Sequence, residues 1–98
     1  MRTAFLSLSV ILISQIGRAS ADHHKYCICA DTTSGIGNRD RTSSACSNTQ
    51  SLGNNREFQD VAFDSQTPFQ CYSSNNSLDG DTWDRFCKSF SNTHGKCK

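Results

Sequence analysis

Apolar and polar positions alternate from Lys25 to Ala30, with Tyr26, Ile28 and Ala30 on one side and Lys25, Cys27 and Cys29 on the other. A period of two is that of a β-strand, so this segment is predicted as a strand buried on at least one face. Two cysteines one residue apart then point the same way, and one strand can be stapled to two different elements. Asp31 to Asn38, rich in Thr, Ser and Gly, reads as a loop. From Asp40 the period changes: Thr42, Ala45, Cys46 and Thr49 recur at helical spacing, with Asn38 or Asp40 available as the cap. The serines and threonines make this a poor helix alone, and a bridge from Cys46 is expected to hold it down. After the turn at Gly53-Asn54-Asn55, Arg56 to Phe63 carries Phe58, Val61 and Phe63 among polar residues and reads as a strand near an edge. Asp64 to Pro68 is a short turn, Phe69 to Tyr72 a further strand, and the two strands are expected to pair as a hairpin. A polar loop, Ser73 to Ser77, precedes the strongest helical signal, in which Trp83, Phe86, Cys87 and Phe90 share one face. Asp79 or Asp81 caps its positive end and Lys88 suits the other. Asn92 to Gly95 ends that helix, and Lys96-Cys97-Lys98 forms a last short strand. Trp83, Phe86 and Phe90 are assigned to the core rather than to a binding face.

The order strand, helix, strand, strand, helix, strand is two strand-helix-strand units in succession. It predicts an α+β fold, a small disulfide-stapled antiparallel sheet with two helices on one face in the ferredoxin-like β-α-β-β-α-β order. In that topology the first strand is central and lies beside the third and fourth. Cys97 then comes close to Cys27, the second helix runs past Cys29 and favours Cys29–Cys87, and Cys46–Cys71 remains. The competing set, with Cys27–Cys46 and Cys71–Cys97, asks a bridge to span two strand spacings, ~9.6 Å, beyond the usual reach. Six cysteines allow fifteen pairings, so the choice stays open to peptide mapping.

Composition sharpens the class. Arg2, an apolar run from Ala4 to Ile13 and the small-x-small triplet Ala19-Ser20-Ala21 make residues 1–21 a secretory signal, with residues 22–98 as a single disulfide-rich domain. The run meets Gly17-Arg18 too soon for a membrane anchor, and the end of the chain has no hydrophobic tail for a lipid anchor. A chain of 77 residues, 22 to 98, barely offsets its own entropy without covalent links, and all 6 cysteines lie in it. Their spacing has one close pair where structural zinc sites favour two, so bridges are expected and a metal is not. Without Arg2 and Arg18, the 10 Lys and Arg become eight against 9 Asp and Glu, a net charge of −1. That balance argues against nucleic acid as a partner and against a basic membrane-active face.

Candidate chemistry is sparse. No nucleophile elbow, zinc-helix motif or phosphate loop is present, and Gly35-Ile36-Gly37 is too short to cradle a phosphate. A small ribonuclease would need a base, an acid and a cationic stabiliser, which Glu57, His94 and Arg56 offer, but Arg56 and Glu57 point to opposite faces of a strand. No catalytic residue, metal ligand or cofactor is therefore assigned, and the protein is expected not to be an enzyme. His23 and His24 follow the pattern that binds copper or nickel at a free amino end, but read as solvated terminal side chains. Asn75-Asn76-Ser77 is a glycosylation sequon with Asn75 as acceptor.

With Tyr26-Cys27-Ile28-Cys29 near the start, Ser44-Ala45-Cys46 and Arg85-Phe86-Cys87 in the two helices and Gly95-Lys96-Cys97 at the end, the chain resembles the small secreted cysteine-rich proteins of filamentous fungi. Some of these adopt the fold of the viral killer toxin of smut fungi. Relatives often carry Cys-Cys doublets in both helices, where this chain has Cys46-Ser47 and Cys87-Lys88. The resemblance implies an extracellular effector or virulence protein acting on a host or a competing microbe. The partner is expected to be a host or microbial protein or a cell-surface component, met by a monomer. A toxin-like antimicrobial is the alternative it leaves.

Overall fold

A computed structural model describes residues 23–48 and 55–98; the expected leader, Thr49 and Gly53-Asn54 lie outside the described residues. The elements in chain order are β1 (His23–His24), β2 (Tyr26–Asp31), α1 (Arg39–Cys46), β3 (Arg56–Gln59), β4 (Gln70–Ser73), β5 (Leu78–Asp79), α2 (Gly80–Lys88) and β6 (Thr93–Cys97). They make a small disulfide-stabilised α+β structure with two helices and two antiparallel sheets among the described residues. The larger sheet runs β3-β4-β2-β6, and β1 pairs with β5 in a separate two-stranded ribbon. That ribbon, His23 opposite Asp79 and His24 opposite Leu78, was not expected. Two-residue strands carry no readable alternation, so only the tertiary pairing reveals them.

Strand β2 organises the rest because its residues Cys27, Ile28, Cys29 and Ala30 are all fully buried. Cys27 lies opposite Cys71 of β4 on one side and Cys97 of β6 on the other. The Cys27–Cys97 bridge joins directly facing residues, with Cα atoms 4.1 Å apart. Tyr26 and Lys98 exchange backbone hydrogen bonds next to it, at 3.1 and 2.8 Å, which makes the Cys27 and Cys97 pair the close, non-hydrogen-bonded kind. Cys29–Cys87 ties β2 to α2 and Cys46–Cys71 ties α1 to β4. Cys71 and Cys97 are thus separated by β2 itself.

Both helices cover the cysteine face. Helix α2 brings Trp83, fully buried, whose indole N–H donates to the Ile28 carbonyl at 2.8 Å. Its N-cap is Asp79, which accepts from the Thr82 amide at 3.0 Å. It can lie against β6 only because residue 95 is glycine: a Cβ there would stand 2.7 Å from the Asp84 Cα and 2.8 Å from Trp83 Cδ1. Helix α1, capped by Asn38, has no large apolar residue and docks by a different device. Where β4 stops pairing with β2, the Cys29 amide donates instead to the buried Thr42 hydroxyl at 2.9 Å, and the Asn38 amide donates to the Cys29 carbonyl at 2.7 Å. The helix side chain completes the sheet's hydrogen bonding, which removes the cost of a buried unpaired amide.

Three expectations are corrected. Strand β3 ends at Gln59 rather than Phe63: the Asp64 carboxylate accepts from the Gln66 and Thr67 amides, each at 2.9 Å, and the Phe63 amide donates to the Thr67 carbonyl at 2.9 Å. This tight turn folds the segment over the sheet, so Phe63 packs on Ile28 and Ala30 while Val61 is left 53 % exposed. Phe86 and Phe90 are only partly buried and meet edge to face at 5.7 Å, with the Arg41 guanidinium over Phe90. The last strand is longer than Lys96–Lys98, starting at Thr93, because Asn92 takes a left-handed turn at φ 64° and Thr93 Oγ1 donates back to the Cys87 carbonyl at 2.6 Å.

Candidate interaction surface

Among the described residues, two concave regions lie along the larger sheet. The larger is a 630 Å³ groove along the free edge of β6, walled by Gly80, Asp84 and Lys88 of α2 and ending at His24 and Cys97. An open strand edge beside a helix is the geometry in which a peptide can add as a further strand. Here, however, the outward amide of Gly95 already donates to the Asp84 carboxylate at 2.8 Å. Burial alone would raise the Asp84 carboxyl, but the Gly95 amide and Lys88, 2.9 Å away, outweigh it and hold it below the ordinary carboxylate range. The charged side chain therefore caps the edge, a common protection against unwanted strand pairing. His24 Nε2 is a buried side-chain atom in this groove without a hydrogen-bond partner among the described residues.

The second region is on the opposite face of the sheet, at the end where β2 and β3 begin and β4 and β6 end. Alternation carries Tyr26, Tyr72, Gln70, Glu57 and Gln59 to that face, and Tyr26 lies directly opposite Tyr72, which lies opposite Glu57. The two tyrosine rings stack with centroids 5.5 Å apart at 30°. Each lines a separate shallow cleft. Tyr72 shares one of 240 Å³ with Asn55, Arg56, Glu57 and Ser74, and Tyr26 one of 300 Å³ with Val61, Ala62, Gln70 and Lys98. A ladder of planar groups runs beside the rings: Gln70 Nε2 donates to Gln59 Oε1 at 3.1 Å, and Gln59 Nε2 donates to Glu57 Oε2 at 2.8 Å. The cations at the margins are engaged. Arg56 Nε donates to the Cys46 carbonyl at 2.7 Å, and Lys98 Nζ donates to the Phe63 carbonyl while standing 4.7 Å from the centre of the Phe63 ring.

The residues singled out in the sequence are distributed as follows. All six cysteines are bridged, and no cysteine is free among the described residues. Asn75 is exposed in the turn after β4, and its side-chain oxygen accepts from Ser73 Oγ at 2.8 Å. Glu57 and His94 are not brought together, since β3 and β6 are opposite edges of the sheet, three spacings or ~14 Å apart. Among the described residues no cluster of three His, Cys, Asp or Glu could hold a metal ion, and no helix is long and apolar enough to cross a membrane. The tyrosine pair was missed. Alternation placed Tyr26 opposite the cysteines, but only the register of β2 on β4 sets Tyr72 beside it.

No curated protein and no solved structure matches the chain significantly. One family model does, over residues 22–96, described as biotrophy-associated secreted protein 4. With three bridges holding a small α+β frame and a match over three quarters of its length, the chain belongs to the biotrophy-associated secreted protein 4 family, a family of secreted proteins.

Proposed function

We propose that the protein is an extracellular effector that works by binding, through a rigid presented surface, to a component of a host or of a competing microbe. The observation that carries this reading is the half-buried Tyr26–Tyr72 stack on a sheet whose other face is fixed by three bridges. Rigid aromatic side chains already ordered in the free protein lose little entropy on contact, which is what a recognition surface needs. The matched span beginning at Asp22 supports removal of residues 1–21 before the protein acts, and the exposed Asn75 suits it as a glycosylation acceptor. The strand order β3-β4-β2-β6, with both helices on one face, supports kinship with the killer-toxin fold.

Action is by contact and not by catalysis: the separation of Glu57 from His94 supports this, as does the engagement of Arg56 with the Cys46 carbonyl. The protein works as a monomer, with no nucleic acid and no cofactor. Fluorescently labelled oxidised protein, applied to living host tissue and to cells of competing microbes, is expected to be retained on the surface of one of them. The reduced and alkylated protein is expected to lose that retention. Absence of retention on both would overturn the proposal, and leakage of lipid vesicles at low micromolar protein would replace it with the toxin reading.

A further inference from the structure

We infer that the Tyr26–Tyr72 face binds a neutral, unbranched polysaccharide, with one sugar seated against each tyrosine. The inference rests on the surface-binding role proposed above and names its partner by chemistry.

A pyranose ring presents two kinds of surface. Its faces carry C–H groups and are apolar, while its rim carries hydroxyls that take paired hydrogen bonds from planar amides and carboxylates. An aromatic ring with a polar tip beside a planar polar group complements both. The described surface supplies an aromatic ring and a planar group at two adjacent places, the planar groups open to solvent beside Tyr72 and recessed beside Tyr26. Tyr72 lines a cleft with Glu57 and Asn55, and Tyr26 lines another with two exposed aliphatic residues, Val61 and Ala62, over the amide of Gln70, which is only 4 % exposed at the cleft floor. The hydrogen-bonded chain from Gln70 through Gln59 to Glu57 fixes the orientation of its members before a ligand arrives. Such preorganisation reduces the entropy cost of binding.

The shape selects a polymer. Each cleft is open and shallow, at or below the ~300 Å³ at which enclosed small-molecule pockets begin. A monosaccharide would leave much of itself in water, whereas a chain crossing the stacked pair can use both clefts. The small net charge of the clefts and the engagement of their cations suit a neutral one. The two clefts together hold one carboxylate, Glu57, and two cations, Arg56 and Lys98. Both cations already donate to backbone carbonyls. A strand of nucleic acid could also stack on tyrosines in the middle of a sheet, but it draws most of its affinity from free Lys and Arg facing phosphates. That requirement fits this surface poorly.

The test uses the full mature, oxidised protein with chitohexaose, cellohexaose, xylohexaose and laminarihexaose, and with hexauridine as the nucleic-acid probe, followed by titration calorimetry and by amide chemical shifts. The expected result is saturable binding of at least one of the four sugars, with shifts confined to Tyr26, Glu57, Gln70, Tyr72 and their neighbours. Tyr72→Ala is expected to weaken binding by about tenfold or more, and Tyr72→Phe by about threefold or less, because the ring face supplies most of the contact. Unchanged amide shifts across the rest of each variant show that it is folded. Absence of binding by all four sugars, shifts in the β6 groove in place of the tyrosine face, or preferential binding of hexauridine would each overturn the inference. Retention of the protein on a cell surface without any sugar binding would sink the polysaccharide alone and leave the effector proposal standing.

Discussion

The two faces of the four-stranded sheet are built from the same strands and treated in opposite ways. On the cysteine face Cys27, Cys29 and Cys71 are fully buried beneath two helices, and every bridge crosses or leaves that face. On the tyrosine face Phe63 covers Ile28 and Ala30, and the covering stops there, leaving Tyr26 and Tyr72 half-buried. The difference shows how so short a chain divides its tasks: covalent links and one buried tryptophan hold one side so firmly that the other need not be sealed. A surface that contributes little to stability is free to carry recognition.

Substitutions on the two faces should separate these roles. The largest effect is expected from Trp83→Ala, which removes the largest buried side chain and its hydrogen bond to Ile28. A loss of ~3–5 kcal/mol in chemical denaturation is expected. The double change Cys46→Ser with Cys71→Ser should cost ~2–4 kcal/mol by the same measurement, since it opens a loop and frees the one helix that lacks a large apolar anchor. Gly95→Ala should cost ~1–3 kcal/mol, because α2 must move off β6 to admit the methyl group.

Asp79→Ala, which deletes the cap of α2, should cost ~1 kcal/mol near neutral pH. The Thr82 hydroxyl and amide hold the Asp79 carboxyl below its ordinary range despite some burial. Its stabilisation is therefore complete above the unfolded value of ~3.9 and lost as pH falls through the lower folded value. The gap between wild type and Asp79→Ala in thermal denaturation should accordingly close in acid. On the open face, Tyr72→Phe keeps the stacked ring and removes only the hydroxyl, so the smallest effect, below ~0.5 kcal/mol, is expected there. Tyr72→Ala gives up the pair, ~0.5–1.5 kcal/mol, and part of a half-buried ring besides. A loss from Tyr72→Ala as large as that from Trp83→Ala would erase the distinction between the faces.

The local periods were readable along the chain. Alternation along the first long strand and the spacing of Trp83 and Cys87 are properties of neighbouring residues, so strand and helix were legible, and each cap was narrowed to two candidates, of which Asn38 and Asp79 are used. Where those periods end and what covers them came from the packing of distant segments. Helical spacing put Thr42 on the inward face with Ala45 and Cys46, but that it answers the Cys29 amide left unpaired by β4 depends on how helix and sheet meet. Val61 and Phe63 looked like strand residues, but the Asp64 turn lifts them out of the sheet and turns one inward and the other to solvent. The tyrosine stack depends on which residue of β4 faces which of β2, and a slip of one position would send Tyr72 to the helix side. Register and coverage arise from contacts between residues distant in the chain, and a linear pattern carries no direct record of them.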